Sequence, residues 1–139
     1  MAFRKRTKIT FIDIDSAGVV FYSRLLHNFH IAMEEFFAAE LGMDYDDVIH
    51  EHNLSLPTVH IDADFFKRMR YKAEIDVEVS ILNIGAASIT WGYKGYRVGD
   101  DALVFEGASV TVCVRTDTFE KIPVPDWFRT LLDDYSAKG

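Results

Sequence analysis

Asp13 and Asp15 sit in the run Phe11-Ile-Asp13-Ile-Asp15-Ser-Ala-Gly18-Val-Val20-Phe-Tyr22, where two acids and a small Ser16-Ala17-Gly18 segment lead into an apolar stretch and then a helical pattern. A carboxylate placed there can attack a carbonyl carbon or activate water. The helix that follows offers unpaired N–H groups and the positive end of its dipole to an oxygen that becomes negative. Gly18 lets the backbone turn and leaves room for a substrate to approach. Loop acids also serve as turn formers and caps, and the residues alone leave both readings open for Asp13 and Asp15.

The remaining side chains with chemical potential are few. His27 and His30 lie three apart on the helical stretch, and His50-Glu51-His52 has the look of a ligand group. Helical metal sites usually add carboxylates at matching positions, as in Glu-x-x-His, and neither group does. No metal and no cofactor is expected. His30 is read either as a polar partner inside a pocket or as a hydrogen-bonded core histidine. His60 faces either a pocket mouth or the polar side of its strand. Cys113, the single cysteine, falls on the polar parity of a strand and is read as passive.

The elements that must position these residues follow from periodicity. Residues 3–11 read as a strand. Ser23 reads as a helix N-cap, followed by Leu25, Leu26, Phe29, Met33, Phe36, Phe37 and Leu41 at three- and four-residue spacings. Gly42 ends that helix after about 19 residues, roughly 28 Å. Ile31 and Ala38 fall outside the stripe, so the helix is expected to be buried on most of its circumference. Asp44, Asp46 and Asp47 open a short second helix that stops at Asn53. Beyond Pro57 the period becomes two. Val59, Ile61, Ala63 and Phe65 alternate with polar residues, as do Ile75, Val77, Val79 and Ile81; Ile89, Trp91 and Tyr93 mark a further strand. Val110, Val112 and Val114 then read as the inward row, against Ser109, Thr111 and Cys113. Asp126 opens a last helix carrying Trp127, Leu131 and Leu132. Half-polar strands need one covered face, and the long helix is the large apolar object available. The fold class is α+β, an antiparallel sheet wrapped around one helix, in a single domain spanning residues 1–139.

Composition narrows the function classes. The chain has 139 residues, 49% of them hydrophobic, and a formal charge of −7, with a basic Arg4-Lys5-Arg6 best read as a solvated start. Nucleic acid is not an expected partner. No apolar run approaches the roughly 20 residues of a membrane-spanning helix, and no apolar signal core follows the basic start. A cytoplasmic protein is expected.

The segment Asp13-Ile-Asp15-Ser-Ala-Gly18-Val-Val20-Phe-Tyr22, between the first strand and the long helix, resembles the signature of the hotdog-fold acyl-CoA thioesterases of the 4-hydroxybenzoyl-CoA thioesterase family. Leu56-Pro57-Thr58-Val59-His60 through Phe66 is similar to the family's second strand, and Gly85-x-x-Ser88 to the turn into its fourth. Lys121-x-Pro123-x-Pro125 adds a likeness to the 1,4-dihydroxy-2-naphthoyl-CoA thioesterases. The resemblance implies a hotdog fold and hydrolysis of an aromatic acyl-CoA. It implies Asp15 as nucleophile or general base, the Tyr22 N–H as oxyanion donor and Asp13 as a support. Gly18, Val20, His30, Pro57, Thr58, His60 and Ser88 would form the substrate site. Where the related aromatic-acid enzyme carries a basic run for the CoA phosphates, this chain has Ile84-Gly85-Ala86-Ala87-Ser88, so Lys67, Arg68 and Arg70 become the candidates.

Two other readings compete. Hydratases of this fold use an Asp-x-x-x-x-His pattern that is missing between Asp15 and Val20. An aliphatic acyl-CoA hydrolase, or a non-catalytic acyl-binding module, is the further alternative; Asp15 and Gly18 together argue against the module. An uncovered edge strand predicts a homodimer with sites at the subunit interface, and the resemblance extends this to a homotetramer.

Overall fold

A computed structural model describes residues 3–18 and 22–138. The strands are β1 (Phe3–Lys8), β2 (Leu54–Ser55), β3 (Thr58–Phe65), β4 (Glu74–Ile84), β5 (Ser88–Arg97), β6 (Leu103–Val112) and β7 (Val114–Arg115). The helices are α1 (Tyr22–Phe36), α2 (Tyr45–His50) and α3 (Asp126–Lys138). One five-stranded antiparallel sheet runs β1-β4-β5-β6-β3, and β2 pairs with β7 beside it. Strands β4, β5 and β6 form a meander joined by short turns. β3 does not pair with the strand that follows it; it crosses to the far edge, beside β6.

The core lies between the sheet and α1. Ile75, Val77 and Val79 of β4 and Ile89, Trp91 and Tyr93 of β5 point inward, as their alternation predicts. They meet Leu25, Phe29, Met33 and Phe36 of α1, and each large side chain so buried contributes about 1.5–3 kcal/mol. Phe36 packs edge-on against Trp91, and Tyr135 of α3 packs edge-on against Phe36. α3 is thus sewn to the same core.

Several expectations need correction. β1 stops at Lys8, and Phe11–Asp13 form a 3-10 turn that exposes Phe11 and Ile12. Ser23 lies inside α1 rather than capping it. The helix continues past Phe36 as a π-turn, Phe37–Leu41, before Gly42 stops it with φ 71°. Its burial is one-sided, because a five-stranded sheet covers one flank only; Ser23, His27, His30, Glu34 and Glu35 remain exposed.

The parity of β6 is the reverse of the expected one. Ser109 and Thr111 are buried, with Val110 and Val112 half-buried on the outer face; past the strand's end Cys113 and Val114 are both buried. Cross-strand partners make this tolerable: Trp91 Nε1 donates to Thr111 Oγ1 at 3.0 Å, and Ser109 Oγ donates to Tyr93 Oη at 3.3 Å. Among the described residues, no helix is long and apolar enough to cross a membrane.

Candidate active site

The acid-bearing loop is held at both ends. Ile9, fully buried at the end of β1, anchors it, and the 3-10 turn follows. Asp13 is the clamp. Its Oδ2 accepts bonds from Thr10 N and Thr10 Oγ1, both at 2.9 Å, and its Oδ1 accepts from Arg24 Nε of α1 at 3.2 Å. One carboxylate therefore ties the turn to the helix, the supporting role expected of it.

Asp15 is half-buried and builds the next turn. Its carbonyl accepts the Gly18 N–H at 3.0 Å, and its Oδ1 accepts the Ala17 N–H at 2.8 Å. Gly18 closes that turn with φ 77°, where a side chain is strained. A Cβ at Gly18 would meet nothing within 4 Å, so within the chain the conformation, not lack of space, is what demands glycine. Tyr22 stands at the described start of α1, while Val20 lies outside the described residues.

Along α1, a cavity of about 50 Å³ opens between helix and sheet. Leu26, Phe29, His30 and Met33 line it from the helix, Thr58 and Ile61 from β3, and Tyr93 and Ser109 from β5 and β6. Phe29 and Tyr93, both lining it, stack on each other with ring centroids 4.4 Å apart and planes 6° from parallel. Burial raises the Tyr93 phenol to about 12, so at neutral pH it is a neutral hydrogen-bonding group. β3 can approach this closely because Gly107 faces it; a Cβ there would run into the Asp62 carbonyl, with the Ala63 Cβ and the Phe29 ring each 3.0 Å away.

The expected substrate residues divide. His30 lines the cavity at its exposed rim, with Nε2 3.9 Å from Glu34 and its ring edge-on to Tyr45. It is not a core histidine. Thr58 also lines the cavity. His60 does not: a bulge at Val59 resets the alternation, so Thr58 sits opposite Thr111 and Ile61 opposite Ser109 on the inner face. His60 is left on the outer face, bonded to Asp62 at 3.2 Å. Pro57 and Ser88 fall outside the cavity and serve the backbone. The Pro57 carbonyl accepts the Val112 N–H at 3.1 Å, and the Ser88 carbonyl accepts the Gly85 N–H at 2.7 Å.

Phe29 and Met33, expected in the core, are buried there and also line the cavity, whereas the sequence did not single out Tyr93 and Ser109, which line it too, or Arg24, which holds Asp13. The one local signal was the i, i+3, i+7 spacing of Leu26, Phe29 and Met33. His50 reaches Asp46 of its own helix, and His52 packs on Trp127. Among the described residues, no group of three or more His, Cys, Asp or Glu could hold a metal ion.

A 1,4-dihydroxy-2-naphthoyl-CoA hydrolase from Picosynechococcus sp. is 34% identical over 79 residues, 57% of this chain; the match spans about half of that relative, 53%. A protein of the same name from Synechocystis sp. is 24% identical over 132 residues, 95% of each chain. The crystal structure of Slr0204, a 1,4-dihydroxy-2-naphthoyl-CoA thioesterase from Synechocystis, superposes with a TM-score of 0.86 at 24% identity, covering 96% of this chain and 97% of that one. The superposition carries the fold, which is the hotdog fold. Residues 9–132 match the family model described as the thioesterase-like superfamily, and the chain belongs to that family.

Proposed function

We propose that this acyl-CoA thioesterase cleaves the thioester of a flat aromatic acyl group, a hydroxybenzoyl or 1,4-dihydroxy-2-naphthoyl ester of CoA. The observation that carries the reading is the cavity lined by the stacked Phe29 and Tyr93, with the polar His30, Thr58 and Ser109 around it. The acyl ring packs at the mouth of that cavity, where a ring hydroxyl finds a partner at His30 or Thr58. The names of the relatives that align over most of the chain point to the same substrate class.

In the reaction, the Asp15 carboxylate either attacks the thioester carbon or takes a proton from the water that does. The oxygen that becomes negative accepts the Tyr22 N–H in the opening turn of α1. Collapse of the tetrahedral species breaks the C–S bond and releases CoA. On the covalent route, water then hydrolyses the Asp15 anhydride. Both routes consume one water and yield the free acid and CoA. Arg24 and Asp13 hold the turn and helix in register during these steps.

The same reading makes the working unit at least a dimer. Among the described residues β3 pairs on one side only, and Val59, Ile61 and Phe65 are 61%, 41% and 43% exposed along it. A second copy pairing β3 to β3 extends the sheet, covers those residues and closes the cavity at the subunit interface; two such dimers give a tetramer. A monomeric mass by light scattering at micromolar concentration overturns the assembly. The activity is tested by thiol release from a panel of acyl-CoAs. The aromatic esters should have the highest kcat/KM, and a higher value for palmitoyl-CoA overturns the substrate class.

A further inference from the structure

The cations of this acidic chain are unevenly matched. Arg4, Arg6, Arg24, Arg97 and Arg115 each hold a carboxylate, Lys5 reaches Glu35, and Arg129 donates to the Gly85 carbonyl. Lys67, Arg68, Arg70 and Lys72, exposed on the β3–β4 loop, have no carboxylate within 4.0 Å among the described residues, and neither does Lys8. Lys94 and Lys121 are also without one but stand singly. In a chain of charge −7, a run of unneutralised cations on one loop makes a local positive field against a repelling background.

That loop is built rather than loose. Phe66 N and Lys67 N both donate to the Val104 carbonyl, at 2.7 and 3.2 Å, and Met69 is buried beneath it. It is also tied to the strand end that feeds the acid loop. Lys72 N donates to the Ile9 carbonyl at 3.0 Å, Ile9 N donates to the Ala73 carbonyl at 2.8 Å, and Tyr71 meets the Phe11 ring edge-on at 6.0 Å. Lys8, also exposed, precedes Ile9 at the end of β1. The basic loop and the turn leading to Asp15 are thus neighbours.

We infer that Lys67, Arg68, Arg70 and Lys72, with Lys8, bind the phosphate-bearing nucleotide end of the CoA ester while its thioester reaches Asp15. Arginine forks pair phosphate oxygens bidentately and lysines add point charge. The inference rests on the acyl-CoA reading for the identity of the anion.

The test uses the full chain and a triple variant, Lys67→Ser/Arg68→Ser/Arg70→Ser, whose changes are all at exposed positions. Adenosine 3′,5′-bisphosphate, which has no acyl group, is the calorimetric probe. Its Kd should rise at least about tenfold in the variant, and added salt should weaken wild-type binding but barely alter the variant. KM for the best acyl-CoA should rise by a similar factor, and far less for the matching acyl-pantetheine. The inference is overturned if the wild type does not bind the bisphosphate, if Kd and KM stay the same, or if KM rises equally for both esters. It is also overturned if the variant loses only binding to phosphatidylglycerol vesicles. A wild type that binds the bisphosphate through these residues but cleaves no acyl-CoA leaves the anion site standing and removes the proposed activity instead.

Discussion

The two edges of the sheet are finished in opposite ways. At β1, Arg4 pairs with Glu78 at 3.1 Å and lies over the Tyr96 ring, and Arg6 pairs with Asp76 at 2.9 Å. The Phe3 N–H donates to Tyr135 Oη at 2.8 Å, and that hydroxyl donates to the Val79 carbonyl at 2.9 Å. Charged side chains along β1 and a helix hydroxyl at its start disfavour a further strand at this edge. At β3, Val59, Ile61 and Phe65 are left bare, and the same strand supplies Thr58 and Ile61 to the cavity. One edge completes the monomer. The other presents apolar surface beside the cavity proposed to take the substrate, and on that proposal assembly and activity should fail together when it is damaged.

Among changes at the two edges, Ile61→Asp should do the most harm. A carboxylate at this place on β3 should reduce the mass by light scattering to that of a monomer and lower kcat/KM at least about tenfold. A dimeric variant with full activity would break the contrast between the edges. Gly107→Ala comes next, because its Cβ collides with the Asp62 carbonyl and presses on Phe29. Overpacking of this kind costs about 1–3 kcal/mol, read as a lower denaturation midpoint. Arg6→Ala, at the closed edge, should leave mass and kcat/KM as they are.

Arg6→Ala also carries a pH signature. The hydrogen bond from Arg6 holds the Asp76 carboxyl below its ordinary value. The stability that follows is fully present above the ordinary carboxylate value of about 3.9 and is lost as pH falls through the depressed one. Wild-type and Arg6→Ala stabilities should therefore converge as the solution is acidified. A gap that widens toward low pH would reverse the assignment. Smallest of all is the effect of a thiol reagent. Burial pushes Cys113 up to about 11, so at pH 8 it should stay unmodified until the chain unfolds.

The sequence made some of this legible and hid the rest for physical reasons. The helix stripe from Leu25 to Leu41, the inward rows of β4 and β5, and the Asp-rich loop ahead of a helix are local patterns, and each stands where its spacing put it. The reversed parity of β6 is not local. Valines suit either face of a strand, and burial of Ser109 and Thr111 depends on Tyr93 and Trp91 on the neighbouring strand. The outward turn of His60 depends on one bulged residue, and the place of β3 beside β6 depends on topology rather than on its own residues. Arg24 gave no sign of its task because its partner, Asp13, belongs to another element.

The account turns on which of two neighbouring carboxylates meets the thioester, and kcat of Asp15→Asn set beside that of Asp13→Asn tests it most directly. Asparagine keeps the size and polarity of Asp15 but can neither attack nor take a proton. For the preferred acyl-CoA, kcat should fall at least about a hundredfold in Asp15→Asn, on the order of 3 kcal/mol in the barrier, with a far smaller change in substrate binding. Asp13→Asn, which loosens a clamp, should fall less. Wild-type kcat in Asp15→Asn, or a deeper loss in Asp13→Asn, would contradict the assignment of Asp15 as the attacking group.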